Sequence, residues 1–358
     1  MKTRVLMMCC LALGVMLSGC DAVRYVLPGS IVGNAKNSGL PQLPRDLLDG
    51  LQRDPGCPIA GVWIRKEDAY ATMVVEIRKN LQGKVSGTLL YVPMAAQVNN
   101  FRPMDVKLRE VQPTSESLRE YEALSLIRYR QDPSQFGWSE VTIRFLDDDK
   151  FVLQERVWVG REVGHRQVWH RVKLDTVDMA YVHYGKARNA LQMGDIDAAA
   201  SLFAHAAQGH PDDAHFCNEL AWELAVSSHA EIRRPRDAIA LAKHACQATG
   251  HSNPMYLDTL AAAYAADGRY PEAVDTQRKA IQAIDGFVTR SLDSMGDQLH
   301  PMEVWAVQYG AMIQGAMEGY DNPEEYMRKL VLTSEGIDVA EFQHRLELYQ
   351  KEKPYVRP

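Results

Sequence analysis

The spacing of apolar residues along the chain changes once, near residue 178. Between residues 57 and 175, apolar and polar positions alternate with a period of two, and β-branched and aromatic side chains are frequent. This pattern is typical of strands with one buried face. From residue 180 the apolar positions recur with a helical period. The pattern predicts an α+β chain of two domains, in which an antiparallel β barrel or sandwich at 57–175 precedes an all-α solenoid.

About eight short segments of the first domain have strand character. They are AGVWIRK, TMVVEIRK, LQGKVSGTLLYV, MDVKLREVQ, YEALSLIRYRQ, SEVTIRFL, FVLQERVWVG and RQVWHRVKL. Because short turns separate consecutive segments, an antiparallel meander that forms a barrel or a sandwich is the simplest arrangement. The run Asp147-Asp148-Asp149 separates two segments and is predicted to be a solvated hairpin turn, since calcium needs ligands at spaced positions.

The aromatic residues of these segments leave two interpretations open. Tryptophans on strands are predicted to fill the core, and lining a ligand cavity is the alternative; they are Trp63, Trp138, Trp158 and Trp169. The opening Gly61-Val62-Trp63 with the meander that follows is similar to lipocalin-like barrels. That resemblance implies a barrel that holds one small apolar ligand. No metal site is expected, because His165 and His170 lie five residues apart and would face opposite sides of a strand.

The helical domain contains a repeat, since Ala187 and Ala221 are separated by 34 residues. Small and aromatic residues recur within each of three copies, at Ala187, Ala199, Phe203, Ala206 and Pro211, then at Ala221, Ala238, Ala242 and Ala245, then at Ala261, Tyr264, Ala273 and Ala280. Small residues let the two helices of a copy approach closely, and copies stack because one pair cannot bury its apolar faces alone. On these residues, 178–284 resembles the tetratricopeptide repeat family. Residues 285–358 are predicted to form capping helices, after a break that follows Ile284, with N-caps at Asn322 and Asp338.

The resemblance to tetratricopeptide proteins implies a groove, lined by the first helix of each copy, that binds other proteins or peptides. The repeat positions assign to this groove Tyr181, Tyr184 and Arg188 from copy one, His215, Asn218 and Trp222 from copy two, and Met255, Asp258 and Ala262 from copy three. Family members that clamp a terminal carboxylate carry several Lys and Arg residues around an Asn. Here only Arg188 and Asn218 match that pattern, and Asp258 opposes it.

The first twenty residues have the organisation of a secretory signal. Lys2 and Arg4 precede fifteen residues without a charge, and the run ends at Leu17-Ser18-Gly19-Cys20. This ending resembles the lipobox of bacterial lipoproteins, which implies removal of 1–19, acylation of Cys20 and attachment to a membrane. Asp21 resembles the signal that retains lipoproteins in the inner membrane. Residues 20–56 are rich in Gly, Pro, Asn and Ser, and are predicted to be a flexible tether.

Charge and cysteine content restrict the classes of partner. The formal net charge is −6, and removing Lys2 and Arg4 with the signal leaves −8, which argues against nucleic acid as a partner. Beyond Cys20, the mature chain would keep Cys57, Cys217 and Cys246. A bridge between Cys217 and Cys246 and two separate buried thiols are both compatible with the sequence. No cofactor is expected.

The sequence contains none of the common catalytic motifs. G-x-S-x-G, H-E-x-x-H, C-x-x-C, G-x-G-x-x-G and Walker motifs are all absent from it. We therefore expect a non-enzymatic lipoprotein of the cell envelope, on the periplasmic face and in the inner rather than the outer membrane. Its expected function is that of a protein–protein interaction scaffold. The alternative is a lipocalin-like carrier of a small apolar ligand, with the repeats used for docking.

Overall fold

The structure is a computed structural model that describes residues 54–67, 70–114, 116–129, 134–156, 166–174, 176–209, 211–298 and 301–358. For residues 295–298 and 301–306 it describes the backbone alone. Within these residues the chain has an α+β architecture, with an antiparallel β barrel followed by helices.

Eight strands form a closed barrel in sequence order. They are β1 (Gly61–Arg65), β2 (Val74–Lys79), β3 (Val85–Tyr91), β4 (Val106–Pro113), β5 (Glu120–Arg128), β6 (Phe136–Asp147), β7 (Lys150–Glu155) and β8 (Arg166–Arg171). Each strand pairs antiparallel with the next, and β1 pairs antiparallel with β8 to close the barrel. This confirms the predicted meander and decides between barrel and sandwich. Each of the strands that the structure describes is therefore paired on both sides.

The run of three aspartates forms the turn between β6 and β7, as predicted. The backbone N–H of Asp149 donates to the side chain of Asp147 over 2.8 Å, which closes a local turn. Asp148 pairs with Arg119 at 3.0 Å. The carboxylates are therefore held by a turn hydrogen bond and by neighbouring cations.

Aromatic side chains fill the centre of the barrel. The ring of Trp63 lies 4.6 Å from that of Phe151 and 5.7 Å from that of Phe145, and Phe151 stacks on Trp169 at 6.3 Å. Trp63 and Trp169 are therefore core residues, as predicted, and the indole N–H of Trp63 donates to the carbonyl of Ile59. Trp138 is only partly buried, and Trp158 lies outside the described residues.

The remaining elements are helical. A short helix α1 (Met94–Gln97) lies between β3 and β4. Among the residues that the structure describes, nine helices follow the barrel: α2 (Met179–Gln192), α3 (Ile196–Gln208), α4 (Ala214–Val226), α5 (Pro235–Ala248), α6 (Pro254–Ala266), α7 (Tyr270–Gln298), α8 (Pro301–Met317), α9 (Pro323–Ser334) and α10 (Val339–Gln350). Helices α2 to α7 pack as three consecutive hairpins, α2 with α3, α4 with α5, and α6 with α7. The predicted small positions at their contacts are buried, including Ala187, Ala221 and Ala261.

The C-terminal helices pack onto the third hairpin. The predicted N-caps are confirmed, since Asn322 accepts the N–H of Glu324 and Asp338 accepts the N–H of Ala340. The predicted break after Ile284 is wrong, because α7 continues to Gln298. Ile284 and Val288 are buried on the extended helix, which packs against α9 and α10. Tertiary packing therefore prolongs a helix whose apolar pattern weakens.

The barrel and the hairpins share one hydrophobic core. Outward-facing residues of the barrel, among them Val74, Leu90 and Tyr91, cluster with buried residues of the helices. Helix α2 approaches β3 at Gly185, where an added Cβ would lie 2.7 Å from the carbonyl carbon of Leu90. Beside it, Lys186 pairs with Glu76 of β2 over 2.9 Å, and both side chains are buried. The α2 helix therefore rests directly on the wall of the barrel.

We predict that Gly185→Ala destabilises the protein by about 1–3 kcal/mol, because the methyl group overlaps backbone that no rotamer change can move. Gly286→Ala is the matched control, since it also lies inside a helix and meets only the mobile end of Arg290. Alanine there should be neutral or stabilise by about 0.5–1 kcal/mol. Urea unfolding measures both changes. Equal effects of the two substitutions would contradict the close approach of α2 to β3.

Stability is also predicted to fall in acid through His183 on α2. Burial, together with the nearby charges of His205 and Lys186, lowers the pKa of His183 to about 4. The neutral ring is the folded form, whereas the unfolded chain binds a proton below about pH 6.5. Stability should therefore drop between about pH 6.5 and 4. His183→Leu should flatten this part of the urea-unfolding profile, and the same change at the exposed His344 should leave it as in the wild type.

Candidate functional site

The residues predicted to line a groove lie on the first helix of each hairpin, α2, α4 and α6. We call the surface that carries them the A face. Two of its helices, α4 and α6, begin at side-chain caps, since Asp213 accepts the N–H of Phe216 and Asn253 accepts the N–H of Met255. Pro254 occupies the first turn of α6. A backbone N–H at this position would have no partner within the helix, so proline costs no hydrogen bond there. These caps set where each helix starts, and so which side chains reach the A face.

At copy one the barrel covers the A face. The ring of Tyr91 on β3 lies 5.0 Å from that of Tyr181 and 6.0 Å from that of Tyr184, and Phe216 of α4 completes the cluster. Tyr181 and Tyr184 are each only 4% exposed. Burial raises the pKa of both phenols well above the ordinary value, so they stay neutral. Both tyrosines join the two domains, while Arg188 at the end of this row remains half-exposed.

At copy two the A face carries packed aromatic rings and a buried glutamate. Trp222 packs on Tyr355 with ring centroids 5.9 Å apart, and the guanidinium of Arg345 lies over both rings. Asn218 is buried, and His215 pairs with Glu219 at 3.5 Å. Glu219 also accepts from Gln97 of α1 over 3.2 Å, which ties α4 to the barrel.

The buried acid of copy two is Glu223, which is 4% exposed. Arg357 donates to both of its oxygens, over 3.2 and 2.8 Å, and Arg188 donates to it over 3.4 Å. The backbone N–H of Arg357 also donates to the carbonyl of Val226 over 2.8 Å. A two-pronged arginine contact of this kind is strong and directional. Two guanidinium groups compensate one carboxylate, and this makes its burial tolerable.

At copy three helix α10 covers the A face. Asp258 accepts from Arg345 over 2.8 Å and from Gln277 over 2.7 Å, and Gln277 also donates to the carbonyl of Phe342. Burial raises the pKa of Asp258, and Arg345 and Gln277 partly offset that rise. Met255 is half-buried against the shared core, and Ala262 is buried.

The structure therefore brings the predicted residues onto one face, but that face is not the open groove that the repeat positions suggested. Instead, the A face is contacted by other parts of the same chain: the barrel, α10 and the last residues. Tyr181, Tyr184, Asn218 and Asp258 are buried by these contacts. Whether this face also binds another protein stays a prediction.

The segment after α10, residues 354–358, lies against the A face, and its partly buried and exposed side chains alternate as they do in an extended strand. Tyr355 and Arg357, two residues apart, are its partly buried anchors, whereas Pro354, Val356 and Pro358 are exposed. In an extended chain alternate side chains point the same way, so these two anchors reach the helices together. The A face thus already accommodates an extended polypeptide with an aromatic residue and an arginine.

Four important residues of this site were not predicted from the sequence. Glu223, Arg345, Tyr355 and Arg357 meet through long-range contacts between α4, α6, α10 and the last residues. Spacing within the repeats carries no information about which distant segment covers them. The only local signal was an aromatic residue and an arginine, set between prolines, after the last helix.

Cysteines and acidic clusters add no further site. Cys57, Cys217 and Cys246 are buried free thiols, so the two cysteines of copy two are not bridged. Burial raises the pKa of Cys217 and of Cys246 to about 12, which makes them unreactive. Within the described part of the chain, no group of three or more His, Cys, Asp or Glu side chains is placed to hold a metal ion.

Cys20 and Asp21 lie outside the described residues. Among the helices that the structure describes, none combines the length and the apolar character needed to cross a membrane. A comparison with protein-family models and with curated proteins found no match to this chain.

We predict that Arg357→Ala loosens the last five residues without unfolding the helices, because Arg188 still neutralises Glu223. A hydrogen-bonded charge pair contributes about 1.5–3 kcal/mol, so hydrogen exchange of the backbone amide at position 357, which donates to the carbonyl of Val226, should accelerate by about tenfold or more. Lys353→Ala is the control, since Lys353 is exposed and belongs to the same segment. Unchanged protection in the Arg357 variant would contradict the role of Glu223 as an anchor.

Proposed function

We propose that this protein is a lipid-anchored interaction protein of the bacterial cell envelope, whose helical hairpins bind an extended segment of another polypeptide. The observation that carries the proposal is how the A face holds residues 354–358. Glu223 accepts from Arg357, and the ring of Trp222 packs on that of Tyr355. The partner it favours is an extended segment with an aromatic residue and an arginine two positions later. The chain's own last residues then act as a resident competitor.

The tetratricopeptide assignment belongs to this proposal. Three stacked hairpins, the 34-residue step from Ala187 to Ala221 and buried small residues at the helix contacts support it. In such repeats the first helices form the binding surface, and here Glu223 on that surface accepts from the arginine of the resident segment. A carboxylate at this position favours a partner that carries an arginine over the terminal carboxylate that some members of the family bind.

The alternative, a barrel that carries an apolar ligand, receives less support. The eight-stranded barrel is compatible with a carrier, because an interior of this size holds either packed side chains or one small ligand. In this chain Trp63, Phe145, Phe151 and Trp169 contact one another across its centre. An apolar molecule would have to displace that aromatic cluster.

The binding proposal is tested with a labelled peptide of residues 351–358 and a protein in which Tyr355→Ala and Arg357→Ala release the resident segment. We expect this variant to bind the peptide more tightly than the wild type, because a tethered competitor has a local concentration of about millimolar. A peptide with Arg357→Ala should bind at least about tenfold more weakly. Adding Glu223→Gln to the protein should have a similar effect. Failure of the released variant to bind the peptide would reject the proposal.

The anchoring proposal has a separate test. Cys20→Ser removes the acylated sulfur, and stable membrane attachment depends on more than one acyl chain. We expect the variant to leave the membrane fraction, whereas Cys57→Ser, a change in a buried thiol of the barrel domain, should remain in it. Equal sedimentation of the two variants would show that the lipobox does not anchor this protein.

A further inference from the structure

The inward face of the barrel changes from apolar to polar towards one end. Large apolar side chains occupy its centre, but the next inward positions on six strands are polar. They are Arg65 on β1, Lys107 on β4, Ser125 on β5, Ser139 on β6, Glu155 on β7 and Gln167 on β8. We call this set the polar end.

Alternation along the strands places these side chains inside. Arg65 follows Trp63, Glu155 follows Phe151 and Leu153, and Gln167 precedes Trp169, each by two residues. Ser125 and Ser139 alternate in the same way with buried apolar neighbours on β5 and β6.

The strand register brings the same side chains to one level of the barrel. Ser125 lies directly opposite Ser139, and Gln167 lies opposite Leu153, two residues from Glu155. The polar end is therefore one layer of the barrel and not a scatter of separate residues.

Lys107 reaches the interior because the pairing of β3 with β4 is irregular at this point. Gly87 pairs with Leu108 and Thr88 with Val106, so Lys107 is the extra residue of a bulge. It is 4% exposed, its ammonium donates to the carbonyl of Leu126 over 3.0 Å, and it lies 4.9 Å from the ring of Phe101. Burial and the charge of Arg65 lower the pKa of Lys107 to about 7, although Glu155 and Asp105 oppose the shift.

Three oxygens of the polar end have no hydrogen-bond partner. They are the hydroxyl of Ser125, one carboxylate oxygen of Glu155 and the amide oxygen of Gln167. Ser125 is 1% exposed and Gln167 is 5% exposed, so bulk water does not satisfy them. Leaving such a buried atom unpaired costs about 1–3 kcal/mol. Two of the three oxygens, those of Glu155 and Gln167, can only accept, so a bound molecule with donor groups would complete their hydrogen bonding.

The polar end thus offers two kinds of partner to a small molecule. Arg65 and Lys107 supply positive charge and donors, and Glu155 and Gln167 supply acceptors. Ser125 and Ser139 lie directly opposite each other on neighbouring strands, and both side chains are small. An eight-stranded barrel has room for one small ligand where its interior is not filled by side chains.

We propose that the polar end of the barrel is a binding site for a small carboxylate that also carries hydrogen-bond donors, such as an amino acid or a hydroxy acid. The carboxylate pairs with Arg65 and Lys107, and the donor groups satisfy Glu155 and Gln167. This site is separate from the A face and independent of the function proposed for it.

Protonation of Lys107 gives the site a characteristic pH dependence. A bound carboxylate favours the charged ammonium, so binding takes up a proton and tightens as pH falls from about 8 to 6. The charged groups around Lys107 are Arg65 from β1, Glu155 from β7, and Asp105, which pairs with Arg128 of β5.

The test uses the full chain and four matched probes in calorimetric titrations: L-serine, D-glycerate, propionate and ethanolamine. Propionate has the carboxylate without donors, and ethanolamine has donors without the carboxylate. We expect L-serine or D-glycerate to bind, because each combines a carboxylate with hydrogen-bond donors. Propionate and ethanolamine should bind at least tenfold more weakly. Absence of binding by both L-serine and D-glycerate at millimolar concentration would overturn the proposal.

Variants then locate the site. Lys107→Met should abolish binding and its pH dependence, whereas Lys84→Met, a change of an exposed lysine in the β2–β3 turn, should preserve both. Ser125→Val should also block binding, because the larger side chain occupies the site while all charges are retained. This second variant keeps the proposal testable if the Lys107 variant does not fold. Binding that survives Ser125→Val, or that is equally strong for propionate, would overturn the proposal.

Discussion

The close approach of helix α2 to strand β3 determines how the rest of this molecule is arranged. Gly185 permits backbone contact with Leu90, and this places Tyr91 among Tyr181, Tyr184 and Phe216. The barrel thereby supplies one wall of the hydrophobic core on which the hairpins stack. The buried pair of Lys186 and Glu76 fixes the orientation, since a misplaced helix would leave two charges without partners.

Buried carboxylates organise the opposite end of the hairpins. Glu223 and Asp258 lie on the first helices of the second and third hairpins, and each requires cations that its own helix does not supply. Arg345 on α10 and Arg357 beyond it provide them, so the electrostatic need of two helices determines where the C-terminal segment lies. An exposed charge pair would give little of this selectivity, because water screens it and competes for its hydrogen bonds.

The barrel combines a packed centre with a layer of buried polar groups. Rings in mutual contact make the centre a core like that of other small barrels, and they support the wall against which α2 packs. The polar layer contributes nothing comparable to stability, since it includes unpaired oxygens and a desolvated lysine. Groups that cost free energy in the unliganded protein are common at positions where a ligand completes the hydrogen bonding.

The sequence by itself determined the α+β order, the eight strands, the hairpin turn at Asp147–Asp149 and the caps at Asn322 and Asp338, because period and capping are local properties. The break predicted after Ile284 was wrong, because packing of α7 against α9 and α10 overrides a weak local pattern. Only the tertiary structure decided that the barrel closes and that the A face is covered. Contacts such as Glu223 with Arg357 join residues 134 positions apart, and no local spacing encodes the partner of a buried charge.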